Sequence, residues 1–259
     1  MSRHLLVIGA QRCGTTYLAS LLDAHPEITM ARPPRPEPKV FLSDDLAERG
    51  HAWYRQTYFD HATSESILGE KSTSYIEDPK AAERVSAVLG PTEIVVLLRD
   101  PIERAVSNWR FSWDNGFETR SLETALRENL AGARAWDKSL ASVSPFAYLE
   151  RGRYDDYLGP WFLAFPSSTH VHFLKALRSD DAALHGLYAG LGVDPGFRPP
   201  NRYRVVNQSR ESAPALSADL ARRLREYFGA SDRSLSQRLG RDVPWPTITG
   251  GGVADESDT

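Results

Sequence analysis

Two patterns of apolar and polar positions open the chain. Residues 4–8 (HLLVI) form an uninterrupted apolar run, which is typical of a fully buried parallel strand. Residues 9–14 (GAQRCG) form a loop bounded by glycines. From Thr15 onward, apolar residues recur at the spacing of an amphipathic helix that ends before Pro26. A strand, a glycine-bounded loop and a helix in this order predict the opening unit of an α/β fold.

The same patterns recur along the rest of the chain. The strongest predicted strand is 93–98 (EIVVLL), because it is β-branched and uninterrupted, and 169–174 alternates like a second one. The pattern predicts a single α/β domain over residues 1–246. Residues 247–259 are glycine-rich and acidic, which predicts a disordered tail. The predicted later helices cover 79–89, 102–113, 121–135, 154–165, 181–191 and 216–228.

Composition narrows the class of protein. With 259 residues, 41% of them hydrophobic and 25% charged, the chain is globular rather than collagenous, coiled-coil or largely disordered. The net charge of −3 gives no global signal for nucleic acid or an anionic membrane as partner. Cys13 is the only cysteine, so no intrachain disulfide is possible. No apolar stretch approaches the roughly 20 residues of a membrane span, and we expect a cytoplasmic protein.

The glycine-bounded loop predicts an anion site. The segment from Gly9 to Thr16 (GAQRCGTT) has the glycine spacing of the nucleotide P-loop, G-x-x-x-x-G-K-[ST], but Thr15 replaces the lysine. Backbone N–H groups that lead into a helix N-terminus bind an anion even without that lysine. Arg12 can supply a fixed positive charge. The loop therefore disfavours a nucleoside triphosphatase and favours a shorter anionic group in a P-loop-like domain.

A second anion site is predicted after the strand 93–98. A magnesium-binding acidic residue would stand there in a P-loop nucleoside triphosphatase, but Arg99 occupies the position. A guanidinium suits a phosphate rather than a metal. Ser107 follows about two turns into the next helix. Two anion sites at two strand ends predict a ligand with phosphates at separate positions.

These segments resemble a known family, the sulfotransferases that use 3′-phosphoadenosine 5′-phosphosulfate (PAPS). IGAQRCGTTYL is similar to their 5′-phosphosulfate loop, and VVLLRDPIERAVSNW is similar to their 3′-phosphate motif. LLDAHP, PEPKVF and EKSTSY resemble the heparan-sulfate and bacterial branch. The resemblance implies a single α/β domain with a central parallel sheet, and PAPS as co-substrate without a metal. The residues that it implies for PAPS binding are Gln11, Arg12, Cys13, Gly14, Thr15, Thr16, Arg99 and Ser107.

The resemblance also implies catalytic residues. The segment that matches PEPKVF carries a catalytic glutamate in this branch, so Glu37 is the predicted general base. The leaving-group cation is usually a lysine in the loop, and Arg12 stands at that position. Lys71 in GEKSTSY is a second cation implied near the reaction centre. His51 and His61 are spare candidates for the base, because other branches use a histidine.

Two alternatives to a sulfotransferase stay open at this point. One is an atypical P-loop kinase, which would lose activity in a chelator, and the other is a catalytically inactive nucleotide-binding protein. The acceptor is open as well, because the sequence fits the hydroxyl or amine of either a small molecule or a carbohydrate. Arg204 and Arg210 are candidates to close over the 3′-phosphate. Of Trp109, Phe111 and Trp113, at least two are expected to pack in the core.

Overall fold

A computed structural model describes residues 2–137, 144–203 and 214–247. Its five described strands form one parallel sheet with the order β2-β3-β1-β4-β5. This arrangement confirms the predicted α/β fold with a central parallel sheet. The strands are β1 (Arg3–Gly9), β2 (Ile28–Met30), β3 (Ile67–Lys71), β4 (Thr92–Leu98) and β5 (Thr169–Phe173).

Helices connect the strands and cover both faces of the sheet. The apolar residues of β1 and β4 are completely buried and alternate between two core clusters, one on each face. Burial on both faces explains why these strands are uninterrupted apolar runs. The helices are α1 (Thr15–Asp23), α2 (Asp44–Ala47), α3 (Gly50–Phe59), α4 (Ala81–Leu89), α5 (Pro101–Asp114), α6 (Leu122–Asn129), α7 (Asp155–Ala164), α8 (Leu174–Ser179), α9 (Asp181–Gly190) and α10 (Ala218–Leu239).

Two helix ends differ from the sequence prediction. The helix predicted over 121–135 ends at Asn129. Three residues later, Gly132 has a positive φ of 123°, and the chain turns there. The last helix, predicted to end at Phe228, continues to Leu239 and stops before Gly240, at φ 62°. Small and polar residues continue the buried face of α10 there, so the apolar pattern underestimated its length. Of the predicted tail, every residue after Thr247 lies outside the described part of the chain.

The strand order sets the position of a crevice. The connection after β1 runs towards β2 on one side of the sheet, while the connection after β4 runs towards β5 on the other. Ligands of open α/β sheets bind outside the carboxyl ends of such adjacent strands. Both predicted anion sites follow these two strands directly. Across the described ranges, the helices lack the combination of length and apolar content that spanning a membrane requires.

Candidate active site

A cleft of about 1270 Å³ opens at the carboxyl ends of the strands. Within the described part of the chain, seven cationic side chains line it against three carboxylates. The whole chain carries a net charge of −3, so positive charge is concentrated at this cleft. A cleft lined by one sign of charge attracts ligands of the opposite sign. The cations are Arg12, Lys39, Lys71, Arg99, Arg151, Lys175 and Arg178, and the carboxylates are Glu37, Asp100 and Glu103.

The glycine loop forms one wall of the cleft and leads into α1. Gly14 precedes the helix with φ 85°, and a Cβ atom there would lie 2.7 Å from Leu174 Cδ1, so only glycine fits without displacement. No described side chain caps this helix start, and its first turn carries no acidic residue. Thr15 and Thr16 line the cleft at the same end. The N-terminus of α1 therefore faces the cleft without a capping side chain, an arrangement that suits an anion.

Arg12 points from this loop towards α5. Its Nε donates to Ser107 Oγ at 3.4 Å, and its guanidinium lies 4.7 Å from the centroid of the Phe111 ring. Burial lowers the pKa of Arg12, and the nearby cations Arg104 and Arg99 lower it further. Arg12 also has a φ of 66°, in a region that non-glycine residues seldom occupy. The guanidinium of Arg12 therefore lies on the same side of the cleft as Ser107.

Arg99 occupies the end of β4, as the strand pattern predicted. One terminal nitrogen donates to the Arg12 carbonyl at 3.3 Å, and the other donates to Glu103 at 2.8 Å. Its buried Nε has no hydrogen-bond partner among the described residues. A buried donor without a partner is rare in proteins, and a phosphate oxygen is a strong acceptor for a guanidinium. Arg99, Arg12 and Ser107 together fit a phosphate group at this end of the cleft.

Glu37 and Lys71 form an ion pair across the cleft wall. Lys71 is the last residue of β3, and Glu37 lies in the proline-rich loop 34 residues earlier in the chain. The Glu37 carboxylate also accepts hydrogen bonds from Thr73, at 3.0 Å from the backbone N–H and 3.2 Å from the hydroxyl. Both ionic side chains are less than one fifth exposed. The two predicted catalytic groups are therefore in contact and fixed in position.

Cys13 is the member of the predicted binding set whose side chain does not line the cleft. It is completely buried, with Sγ 3.4 Å from the hydroxyl of Tyr154. Burial raises the pKa of the Cys13 thiol. Its backbone N–H donates to the Ala10 carbonyl at 3.2 Å. Cys13 therefore packs its side chain behind the loop, and its place in the binding set stays a prediction.

The spare histidine candidates also lie away from the cleft. His51 Nε2 is 2.8 Å from Nε2 of His4, and His61 Nε2 is 3.1 Å from the hydroxyl of Thr29. Neither lines the cleft. Within the described residues, no three His, Cys, Asp or Glu side chains are grouped as metal ligands. Of the three candidates for the general base, Glu37 lines the cleft, where it contacts Lys71, and the two histidines do not.

The aromatic residues of α5 differ from the sequence prediction. Trp109 is buried, but Phe111 is 42% exposed and Trp113 is 47% exposed. The expectation that at least two of the three pack in the core is therefore wrong. Phe111 lines the cleft beneath the guanidinium of Arg12. Arg204 and Arg210, the candidates for closing over a phosphate, lie outside the described residues.

Sequence reasoning missed several residues that line the cleft, among them Thr73, Arg151, Lys175 and Arg178. Thr73 stands in the quoted EKSTSY segment but carried no predicted role. Arg151, in the segment YLERGRY, donates to the Gln11 side chain at 3.1 Å and lies almost buried in the cleft wall. Lys175 and Arg178 lie on the short helix α8, whose six residues give no periodic signal. Only the structure brings these cations together with the glycine loop.

Comparisons with known proteins agree with this architecture. A heparan sulfate glucosamine 3-O-sulfotransferase 3B1 from Mus musculus is 26% identical over 264 residues, covering 93% of this chain and 64% of that relative. A heparan sulfate glucosamine 3-O-sulfotransferase 6 from Homo sapiens is 28% identical, covering 93% of this chain and 72% of the relative. The chain thus spans just under two thirds of the mouse relative. A solved sulfotransferase structure from Alicyclobacillus acidocaldarius shares the fold, with a TM-score of 0.74 at 22% identity, over 94% of this chain and 98% of that one.

The comparison with family models agrees with the resemblance of the two anion-binding segments. The sulfotransferase domain model matches residues 2–153, a range that contains the glycine loop, the Glu37–Lys71 pair and Arg99 with Ser107. This match covers more than half of the 259 residues. The chain therefore belongs to the sulfotransferase domain family.

Proposed function

We propose that this protein transfers a sulfuryl group from PAPS to a hydroxyl or amine of an acceptor, with Glu37 as general base. The observation that carries the proposal is the Glu37–Lys71 pair, fixed in a cationic cleft that the start of α1 and Arg99 also line. Sulfuryl transfer requires a base for the acceptor proton, positive charge on the leaving phosphate and exact alignment of the reactants. The cleft supplies a residue for each of these requirements.

PAPS binding is assigned to two ends of the cleft. The N–H groups at the start of α1, with Thr15 and Thr16, suit the 5′-phosphosulfate. Arg99 and Ser107 suit the 3′-phosphate, since both line the cleft and a guanidinium binds phosphate strongly. Arg12 bonds to Ser107, so its charge supports the same end. The donor supplies an activated sulfuryl group whose S–O bond to the phosphate breaks as the acceptor bonds to sulfur.

Glu37 and Lys71 are assigned complementary roles in the transfer. The Glu37 carboxylate takes the proton that the attacking hydroxyl or amine loses. Lys71 stabilises negative charge that develops on the leaving phosphate oxygens. Because Thr73 holds Glu37 through its amide and hydroxyl, the base is oriented before the acceptor arrives. A carbohydrate is the first acceptor class to test, since the relatives named above act on heparan sulfate glucosamine.

The proposal is tested by sulfuryl transfer from labelled PAPS to a panel of carbohydrate and small-molecule hydroxyls and amines. We expect labelled product with at least one acceptor, and an unchanged rate in excess chelator. ATP in place of PAPS should give no phosphorylated product. Loss of activity in chelator together with phosphoryl transfer from ATP would support a kinase instead. Binding of 3′-phosphoadenosine 5′-phosphate (PAP) without transfer to any acceptor would support an inactive nucleotide-binding protein.

A further inference from the structure

A buried carboxylate lies directly behind the Glu37–Lys71 pair. Glu70, the residue before Lys71 on β3, is completely buried. Three hydroxyl groups donate to it: Tyr54 at 2.6 Å, Ser72 at 2.6 Å and Tyr75 at 2.7 Å. Burial raises the pKa of Glu70, and the three hydroxyl hydrogen bonds lower it. A buried acid held by three donors has a fixed orientation, and it fixes the orientation of each donor in return.

Two of these hydroxyls also bind backbone groups of another segment. Ser72 Oγ accepts the N–H of Lys39 at 2.9 Å, and the Tyr75 hydroxyl accepts the N–H of Phe41 at 3.3 Å. Each hydroxyl gives its single proton to Glu70, so its lone pairs are directed towards the backbone amide. The carboxylate thereby anchors residues 39–41 to the end of β3.

The anchored segment begins two residues after the proposed base. Lys39 has a φ of 52°, a backbone conformation that persists only where surrounding contacts hold it. Glu37 itself contacts Lys71 and Thr73. Lys71 follows Glu70 at the end of β3, and Thr73 comes two residues after Lys71. The position of the Glu37 carboxylate thus depends on two chain segments that the Glu70 network joins.

We propose that Glu70, acting through Ser72 and Tyr75, is a positioning residue that holds Glu37 in its catalytic orientation. Glu70, Ser72 and Tyr75 do not line the cleft, and the network acts through the backbone of residues 39–41. This inference rests on the proposed function, because it assumes that Glu37 is the general base. A displacement of about 1 Å of a catalytic group can cost about 10²-fold in rate, so loss of the anchor should be visible in turnover.

The chain contains a matched control for this network. Tyr54 and Tyr75 are both completely buried and both donate to Glu70, at 2.6 and 2.7 Å. Only Tyr75 also accepts the Phe41 amide. Tyr54→Phe and Tyr75→Phe therefore remove the same chemical group from the same carboxylate, but only the second variant releases the segment that carries the base.

We expect Tyr75→Phe and Ser72→Ala each to lower kcat by about tenfold or more, with the KM for PAPS within about twofold of wild type. Tyr54→Phe should keep kcat within about threefold, although it should lose about as much thermal stability as Tyr75→Phe does. PAP binding by all three variants confirms that the nucleotide site is folded. Equal losses of kcat in Tyr54→Phe and Tyr75→Phe would overturn the proposal, because the network would then be only structural.

A second measurement separates this inference from the proposed function. In a Glu37→Gln background, Tyr75→Phe should have no further effect on kcat, since it acts through Glu37. An additional tenfold loss in that background would overturn the positioning role. Full activity of Glu37→Gln alone would instead contradict the proposed base. If Glu37→Gln lost activity but Tyr75→Phe kept the wild-type kcat, Glu37 would remain the proposed base and the positioning role of Glu70 would be rejected.

Discussion

Glu37→Gln is expected to lower kcat by about 10²- to 10³-fold while PAP affinity stays close to that of wild type. Glutamine has nearly the same shape and can still accept hydrogen bonds from Thr73, but its amide cannot take the acceptor proton. Steady-state kinetics with the best acceptor from the transfer assay measure the change. A loss in kcat without a loss in nucleotide binding identifies a group that acts in the chemical step.

Glu103→Gln is the matched control for this prediction. Glu103 is another carboxylate that lines the cleft, but its partner is Arg99 and its side chain is 62% exposed. Its variant should retain kcat within about threefold, because an exposed ion pair contributes little. A Glu37→Gln enzyme with near-normal kcat, or an equal loss in both variants, would contradict the role of Glu37 as base.

Lys71→Ala is expected to lower kcat by about 10²-fold, the scale of one electrostatic group in a transition state. Two effects act together, because the variant removes charge from the leaving group and also removes the ion-pair partner of Glu37. Lys71→Arg keeps the charge and should recover part of the rate. The recovery should be incomplete, because a planar guanidinium does not reproduce the compact ammonium group.

The same kinetic assay checks Lys71, with PAP-induced thermal stabilisation as the control for folding. If Lys71→Ala turned over at the wild-type rate, the leaving group would need another cation. Arg12 would be the next one to examine, since it is the cation of the glycine loop. Its contacts with Ser107 and Phe111 place it beside α5, whereas Lys71 contacts the proposed base Glu37.

Local sequence patterns were sufficient for the parts of the fold that carry both proposed phosphate sites. The strands β1 and β4 are buried on both faces, so their apolar runs are unambiguous. The loop that ends at Gly14 follows β1 and Arg99 follows β4, and their positions at the carboxyl edge follow from the parallel topology. The Asp100 side chain accepts the Ile102 N–H and so caps the start of α5 next to Arg99.

Contacts between distant segments could not be predicted in this way. The Glu37–Lys71 ion pair joins a loop to a strand end. The resemblance to a family implied that each residue is catalytic, but it did not imply that they form an ion pair. One of the hydroxyl groups that bind Glu70 comes from Tyr54 of α3, a helix whose sequence shows no clear apolar periodicity. Cys13 stands among loop residues in the sequence, yet its side chain turns into the core. Such orientations are decided by tertiary packing rather than by local pattern.

Thermal stabilisation by PAP compared with 5′-AMP tests the central claim, that the cleft recognises a nucleotide with phosphates at both ends. At about 100 times its dissociation constant, a ligand adds roughly 2.7 kcal/mol of stability. At equal concentrations, we predict that PAP stabilises the wild-type protein far more than 5′-AMP, and that Arg99→Ala abolishes the difference. Equal stabilisation by the two nucleotides, or a preference for PAP that survives in Arg99→Ala, would contradict the account.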